Sequence, residues 1–258
     1  MGVEKMNRKT LTITLAGITL ILSSLAQACI STADVRHDGY GAGGLARLWG
    51  GGQNGDNVRI GVYMLYKSNG TGEGELWENG LIGTFCLELS EYAPNYTKTY
   101  EVVQPEEAQK PGTSPGVIIG SEKAEYLREA WGRFYDPAWS AGGNYTEQQN
   151  SDAEAFATVI WEIIYENLPA SPALWDVTTD GTCGTGGFYA TGLDTNKANS
   201  MLHALDGTGP KADLRAFVYD GKQDYLTLIP EPATIWLLAF GSITLLRKRG
   251  RPASLRGE

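Results

Sequence analysis

Histidine is almost missing from this chain: His37 and His203 are the only two in 258 residues. A metal centre built on histidines has too few ligands here, and no H-E-x-x-H, G-x-S-x-G or phosphate-loop motif occurs. Cysteine is scarce too, with Cys29, Cys86 and Cys183 alone. Three thiols cannot make a disulfide-dense scaffold. They can make one bridge in an oxidising compartment, with Cys86 and Cys183 as partners and Cys29 left over. Basic charge is also short, the chain carrying a formal −9. Residues 1–28 hold a net +2 and residues 230–258 a net +3, which leaves −14 on the stretch between them. Nucleic-acid binding needs a basic footprint, so that balance argues against it.

Long apolar runs are confined to the two ends. Near the C-terminus Pro230-Glu231-Pro232 precedes an uncharged run, 233–246, and then Arg247, Lys248, Arg249 and Arg251. As a helix the run spans roughly 21 Å, short of the ~30 Å hydrocarbon core of a bilayer. The prolines break any helix arriving from Leu226, so a transmembrane helix would begin after Pro232. The basic cluster places its far end in the cytoplasm. At the other end Lys5, Arg8 and Lys9 lead into an apolar stretch from Leu11 to Leu25, and Ala26-Gln27-Ala28 has the small-x-small pattern of a signal-peptidase site. Cleavage after Ala28 exposes Cys29. A lipoprotein signal would also put a cysteine there, but it favours a larger aliphatic residue where Ala26 stands. Residues 1–28 therefore read as a signal peptide and the body as exported.

About 200 residues remain, enough for one domain with its own core. Residues 39–55 are so rich in glycine that they read as loop, and 29–57 as a Gly-rich segment ahead of a domain spanning 58–229. Alternation at Val58, Ile60, Val62 and Met64 predicts a strand. Further strands are expected over 81–89, 97–103, 214–219 and 224–229. Helices are expected over 121–134, from a capping box at Ser151–Glu154 with Phe156, Ile160, Ile163 and Ile164 on one face, and from Asp194 with Ala198, Met201, Leu202 and Leu205 inward. The sum is an α+β domain, a mostly antiparallel sheet with two or three packed helices, flanked by a signal helix and a C-terminal transmembrane helix.

Pro230-Glu231-Pro232-Ala233-Thr234 and the run after it resemble the PEP-CTERM sorting signal of bacterial exported proteins. The resemblance implies processing by an exosortase, a membrane-embedded cysteine transpeptidase found with exopolysaccharide export. Three islands of the body, Thr84–Glu88, Ala155–Glu166 and Gly221–Leu226, are similar to the thioester-domain branch of these proteins. In that family the strand cysteine, here Cys86, bonds to the side-chain carbonyl of a glutamine four residues before the helix tryptophan, here Trp161. Counting back from Trp161 gives Ala157, which has no carbonyl to offer. Gln148 and Gln149 lie more than two turns upstream.

Cys86 thus reads as a packed thiol, as a disulfide partner of Cys183, or as a thioester closed through another residue. The expected function is a non-enzymatic binding or structural module of the envelope or extracellular matrix, without cofactor or metal. Its expected partners are signal peptidase and exosortase during processing, the membrane through 233–246, and a polysaccharide or surface protein as ligand. The alternatives are a covalent adhesin acting through Cys86 and a surface hydrolase. The hydrolase would use Cys86 with His203, or a carboxylate pair such as Glu88 and Glu162.

Overall fold

The first strand of the protein is the one its composition hides, while the strand predicted at Val58–Met64 is the middle of the second. The computed structural model describes residues 30–109, 117–179 and 187–230. Within them β1 (Thr32–Gly50) and β2 (Gln53–Thr71) form a long antiparallel hairpin. The reading of 39–55 as loop is wrong, and so is the placement of 29–57 ahead of the domain. Several of these glycines are there for close contact as well as for conformational freedom. A Cβ on Gly43 would meet Ile60 O at 2.1 Å and one on Gly61 would meet Ala42 O at 2.3 Å, so only bare backbone fits where β1 shifts register between Tyr40 and Gly43. At the tip Gly51 and Gly52 both have positive φ, +56° and +88°, as a two-residue type I′ hairpin turn requires.

β2 pairs with β3 (Gly80–Cys86), and β3 with β7 (Lys222–Leu228). β7 pairs with β6 (Leu214–Tyr219), β6 with β4 (Lys98–Val103), and β4 returns to β1 through Thr32–Val35. Every pairing is antiparallel, and the six strands close on themselves as a ring. β5 (Tyr189–Thr191) continues the sheet beyond the ring, beside Arg47–Trp49 at the other end of β1. Closure leaves those six strands few free edges.

Among the described residues three α-helices accompany the sheet: α1 (Ser121–Phe134), α2 (Glu147–Tyr165) and α3 (Thr195–His203). The fold is therefore α+β, with a large antiparallel sheet and three helices. α1 has the predicted bounds, and α3 starts where Asp194 Oδ1 accepts from Lys197 N at 3.0 Å. α2 starts a turn before the expected Ser151. Thr146 Oγ1 accepts from Gln149 N at 3.1 Å and Gln149 Oε1 accepts from Thr146 N at 3.0 Å, a reciprocal cap that satisfies two otherwise orphaned donors. From Ala155 to Tyr165 every residue of α2 is buried, so this helix lies inside the protein rather than on its surface. Phe85 joins the two layers. Its ring meets Phe156 at 4.9 Å and Trp131 at 5.3 Å, edge to face in both cases.

Among the described residues no helix is long and apolar enough to cross a membrane. The expected signal peptide, with Ala26 and Ala28, and the tail from Glu231, with its 233–246 run and basic cluster, lie outside the described residues.

Candidate functional site

Cys86 closes β3, opposite Tyr225 of β7. It is 4% exposed, it is a free thiol, and its Sγ donates to Glu88 O at 2.6 Å. Burial pushes its pKa well up, the Glu88 carboxylate adds to that, and the Trp161 indole acts weakly in the opposite sense. The group is a protonated thiol at neutral pH, a poor nucleophile. Its suggested bridge partner Cys183 lies outside the described residues.

The structure brings the cysteine strand against α2. Trp161 is 1% exposed, and Tyr165, one turn on, accepts from Leu89 N at 2.9 Å just beyond Cys86. Ala157, one turn before Trp161, is buried with only a methyl group to present. Gln148 and Gln149 are occupied at the helix start, Gln148 Nε2 donating to Asp152 Oδ1 at 2.8 Å and Gln149 serving as the cap. A glutamine that sequence reading passed over does approach the thiol. Gln223 Nε2 donates to the same Glu88 carbonyl at 2.5 Å, so it and Sγ are within about 5.1 Å of each other, the sum of 2.6 and 2.5 Å. Cys86 and Gln223 belong to two paired strands, with Glu88 two residues beyond the first, and spacing in the sequence gives no sign of it.

Three carboxyls gather beside this point. Asp224 N donates to Glu88 Oε1 at 3.3 Å, and Asp224 Oδ1 accepts from Tyr219 N at 2.8 Å. Burial raises the Glu88 pKa to about 9, with Asp224 and Glu91 adding repulsion. Burial likewise raises Asp224 to about 7, against the stabilising Tyr219 N–H and with Glu91 and Asp220 nearby. At neutral pH Glu88 is a neutral acid.

The hydrolase pairings do not form. Glu162 is 2% exposed and its Oε1 accepts from Asp176 N at 3.2 Å, while Glu88 turns to Asp224 and Glu91. His203 places Nε2 2.8 Å from Trp175 O. Among the described residues no cluster of His, Cys, Asp and Glu could hold a metal ion.

Cys86 and Glu88 also line a cleft of about 660 Å³ bounded by the β1–β2 hairpin and the 88–93 segment. His37, Tyr40 and Tyr63 form one wall, with ring centroids 4.7 to 5.6 Å apart, and the Arg59 guanidinium lies 4.8 Å from the Tyr40 ring centre. Burial lowers the His37 pKa, so its imidazole is neutral at pH 7.

Comparison of this chain with family models, with curated proteins and with solved structures found no match.

A protonated, buried thiol should resist alkylation. Native protein treated with iodoacetamide at pH 8 is expected to leave Cys86 unmodified, as read by peptide mapping, while protein in urea alkylates fully. Rapid labelling of Cys86 in the native state would contradict the burial and pKa argument.

Proposed function

We propose that this chain is an exported, exosortase-sorted protein of the bacterial envelope or extracellular matrix, and that its folded body is a non-enzymatic module that binds its ligand without a covalent bond. The observation that carries the second half is the Cys86 environment. The thiol is protonated, hydrogen-bonded to Glu88 O and buried, and the helix residue four before Trp161 is an alanine. An acyl bond from Cys86 needs an ionised sulfur and a facing side-chain carbonyl, and neither is provided at that helix position. The first half rests on the signal peptide, on Pro230-Glu231-Pro232 and on the basic stop. In this reading signal peptidase and exosortase process the protein, and 233–246 holds it in the inner membrane before or after that step.

Intact-mass measurement of the purified protein, with and without methylamine and reductant, tests the chemistry. The expected result is no ammonia deficit and no amine adduct. A deficit reversed by methylamine would establish a thioester, with Gln223 the first carbonyl donor to replace, and would restore the covalent-adhesin reading. Loss of two hydrogens reversed by reductant would identify a disulfide. For sorting, replacing Pro230, Glu231 and Pro232 by alanine is expected to leave the precursor unprocessed in its host, as read by immunoblot. Unchanged processing and location would remove the exosortase assignment.

A further inference from the structure

We infer that the cleft beside Cys86 is a binding site for a neutral saccharide, held by Arg59, His37 and Glu91 from within and by Tyr92 at the mouth. The inference rests on the binding-module reading above and names its ligand class.

Three residues that line this cleft each carry a buried polar atom without a hydrogen-bond partner: His37 Nε2, Arg59 Nε and Glu91 Oε2. Buried polar atoms in folded proteins are nearly always satisfied, and each one left unmade costs about 1–3 kcal/mol. That three such residues line one cleft marks it as a place where a ligand completes the bonding. Arg59 Nε can only donate, a carboxylate oxygen can only accept, and a neutral imidazole nitrogen does one or the other. A hydroxyl does both, so a row of sugar hydroxyls satisfies all three without any charge of its own.

The aromatic groups point the same way. Tyr92 is 87% exposed and Tyr40 48% exposed, and both line the cleft. An almost fully exposed ring contributes little to folding, yet it offers a flat apolar face beside a polar interior, the combination a pyranose ring presents in complement. Tyr40 is already covered on one face by Arg59, which leaves Tyr92 as the free platform.

Charge narrows the class. Asp56 and Glu91 share the lining with Arg59 as its one permanent cation. A uronate or sulfated sugar would meet carboxylates at close range in a chain whose body carries a large negative excess. A neutral sugar avoids that repulsion.

The test uses the full chain as recovered from the exporting cell, with cellohexaose, mannohexaose and xylohexaose as neutral probes and hexagalacturonate as the acidic one. Calorimetry or ligand-observed NMR is expected to detect at least one neutral probe, with hexagalacturonate at least tenfold weaker. Tyr92→Ala should weaken binding at least tenfold with unchanged thermal unfolding. Arg59→Gln should do the same, and Tyr92→Phe should retain binding, since it keeps the ring face. Absence of binding by every neutral probe overturns the saccharide assignment, as does binding indifferent to both Tyr92→Ala and Arg59→Gln. Surface retention of the chain on host cells separates the two levels. Retention through a crosslinked surface protein, with no neutral probe bound, removes the saccharide and keeps the binding module, while loss of both retention and probe binding removes both.

Discussion

Stability is expected to fall as the pH rises from 6 to 9, the opposite of the behaviour that paired carboxylates give. The cause is Asp224 and Glu88, whose folded pKa values are raised to about 7 and about 9. In the unfolded chain both carboxyls ionise near pH 4. Between that value and the folded pKa the native state holds more protons than the unfolded one, and stability therefore declines with rising pH. Asp224 completes its loss near pH 7 and Glu88 near pH 9. The ceiling is about 1.4 kcal/mol per pH unit for each group, and solvent screening at the partly exposed Glu88 holds its share below that. His37 works in the other direction at lower pH. Its folded pKa is depressed, so protonation of the unfolded chain below about pH 6.5 costs stability there. Urea midpoints at pH 6, 7.5 and 9 should descend. Glu88→Gln with Asp224→Asn keeps an acceptor oxygen at each position and should flatten the series, leaving the double variant more stable than the parent at pH 9. A parent whose midpoint holds or rises over that range would show that the two groups ionise normally in the folded protein.

Elements with an unambiguous period were legible in the sequence. α1 and β6 have the bounds that spacing predicts, because Ala124, Leu127, Trp131 and Phe134 repeat every three or four residues and Leu214–Tyr219 is an apolar run between polar turns. α2 was legible as a helix but not in its start, since two capping boxes overlap and Thr146-Glu-Gln-Gln149 outcompetes Ser151-Asp-Ala-Glu154. The first strand of the hairpin failed for a physical reason. Glycine at 41, 43 and 44 reads as looseness in one dimension, yet in the fold each position faces a group within 3 Å of a would-be Cβ: Trp139 O, Ile60 O and Glu154 Oε1. Those contacts are made by residues well separated in the chain, and no local rule reports them. The cleft was illegible for the same reason. His37, Arg59, Glu91 and Gln223 come from four separate segments, and only the closing of the sheet puts them around one space. Cys86 and Trp161, by contrast, were singled out from their own short motifs, and the fold does set the strand of one against the helix of the other.

Glu129→Ala should cost about 3 kcal/mol or more, the largest loss expected from any single carboxylate in the described residues. Glu129 lies on α1 with 0% exposure. Its Oε1 accepts from Arg133 Nε at 2.8 Å, Asp206 N at 3.1 Å and Gly209 N at 3.2 Å, and its Oε2 accepts from Gly207 N at 2.7 Å. One carboxylate thus fastens the whole turn that leads from α3 to β6. A buried carboxylate of this kind is stable because both its oxygens accept hydrogen bonds, four in all, and removing it strands its donors, a cost of about 3–5 kcal/mol where water cannot follow. Two effects lower that figure here. Asp206 and Gly207 are exposed enough for water to reach part of the turn, and Arg133 retains Asp206 Oδ1 at 2.8 Å as a partner. Glu129→Gln separates charge from shape, because it keeps one acceptor and should lose less than alanine. Urea unfolding of the three proteins at pH 6 should rank them parent, Gln, Ala, and an alanine variant within 1 kcal/mol of the parent would show the turn to be held by other bonds. The consequence reaches the candidate site through pairing. β6 pairs with β7, and β7 carries Gln223 and Asp224. Loosening the α3–β6 turn should therefore weaken the strand beneath the Cys86 cleft, whereas Tyr92→Ala, at the exposed mouth, should change binding and leave unfolding where it was.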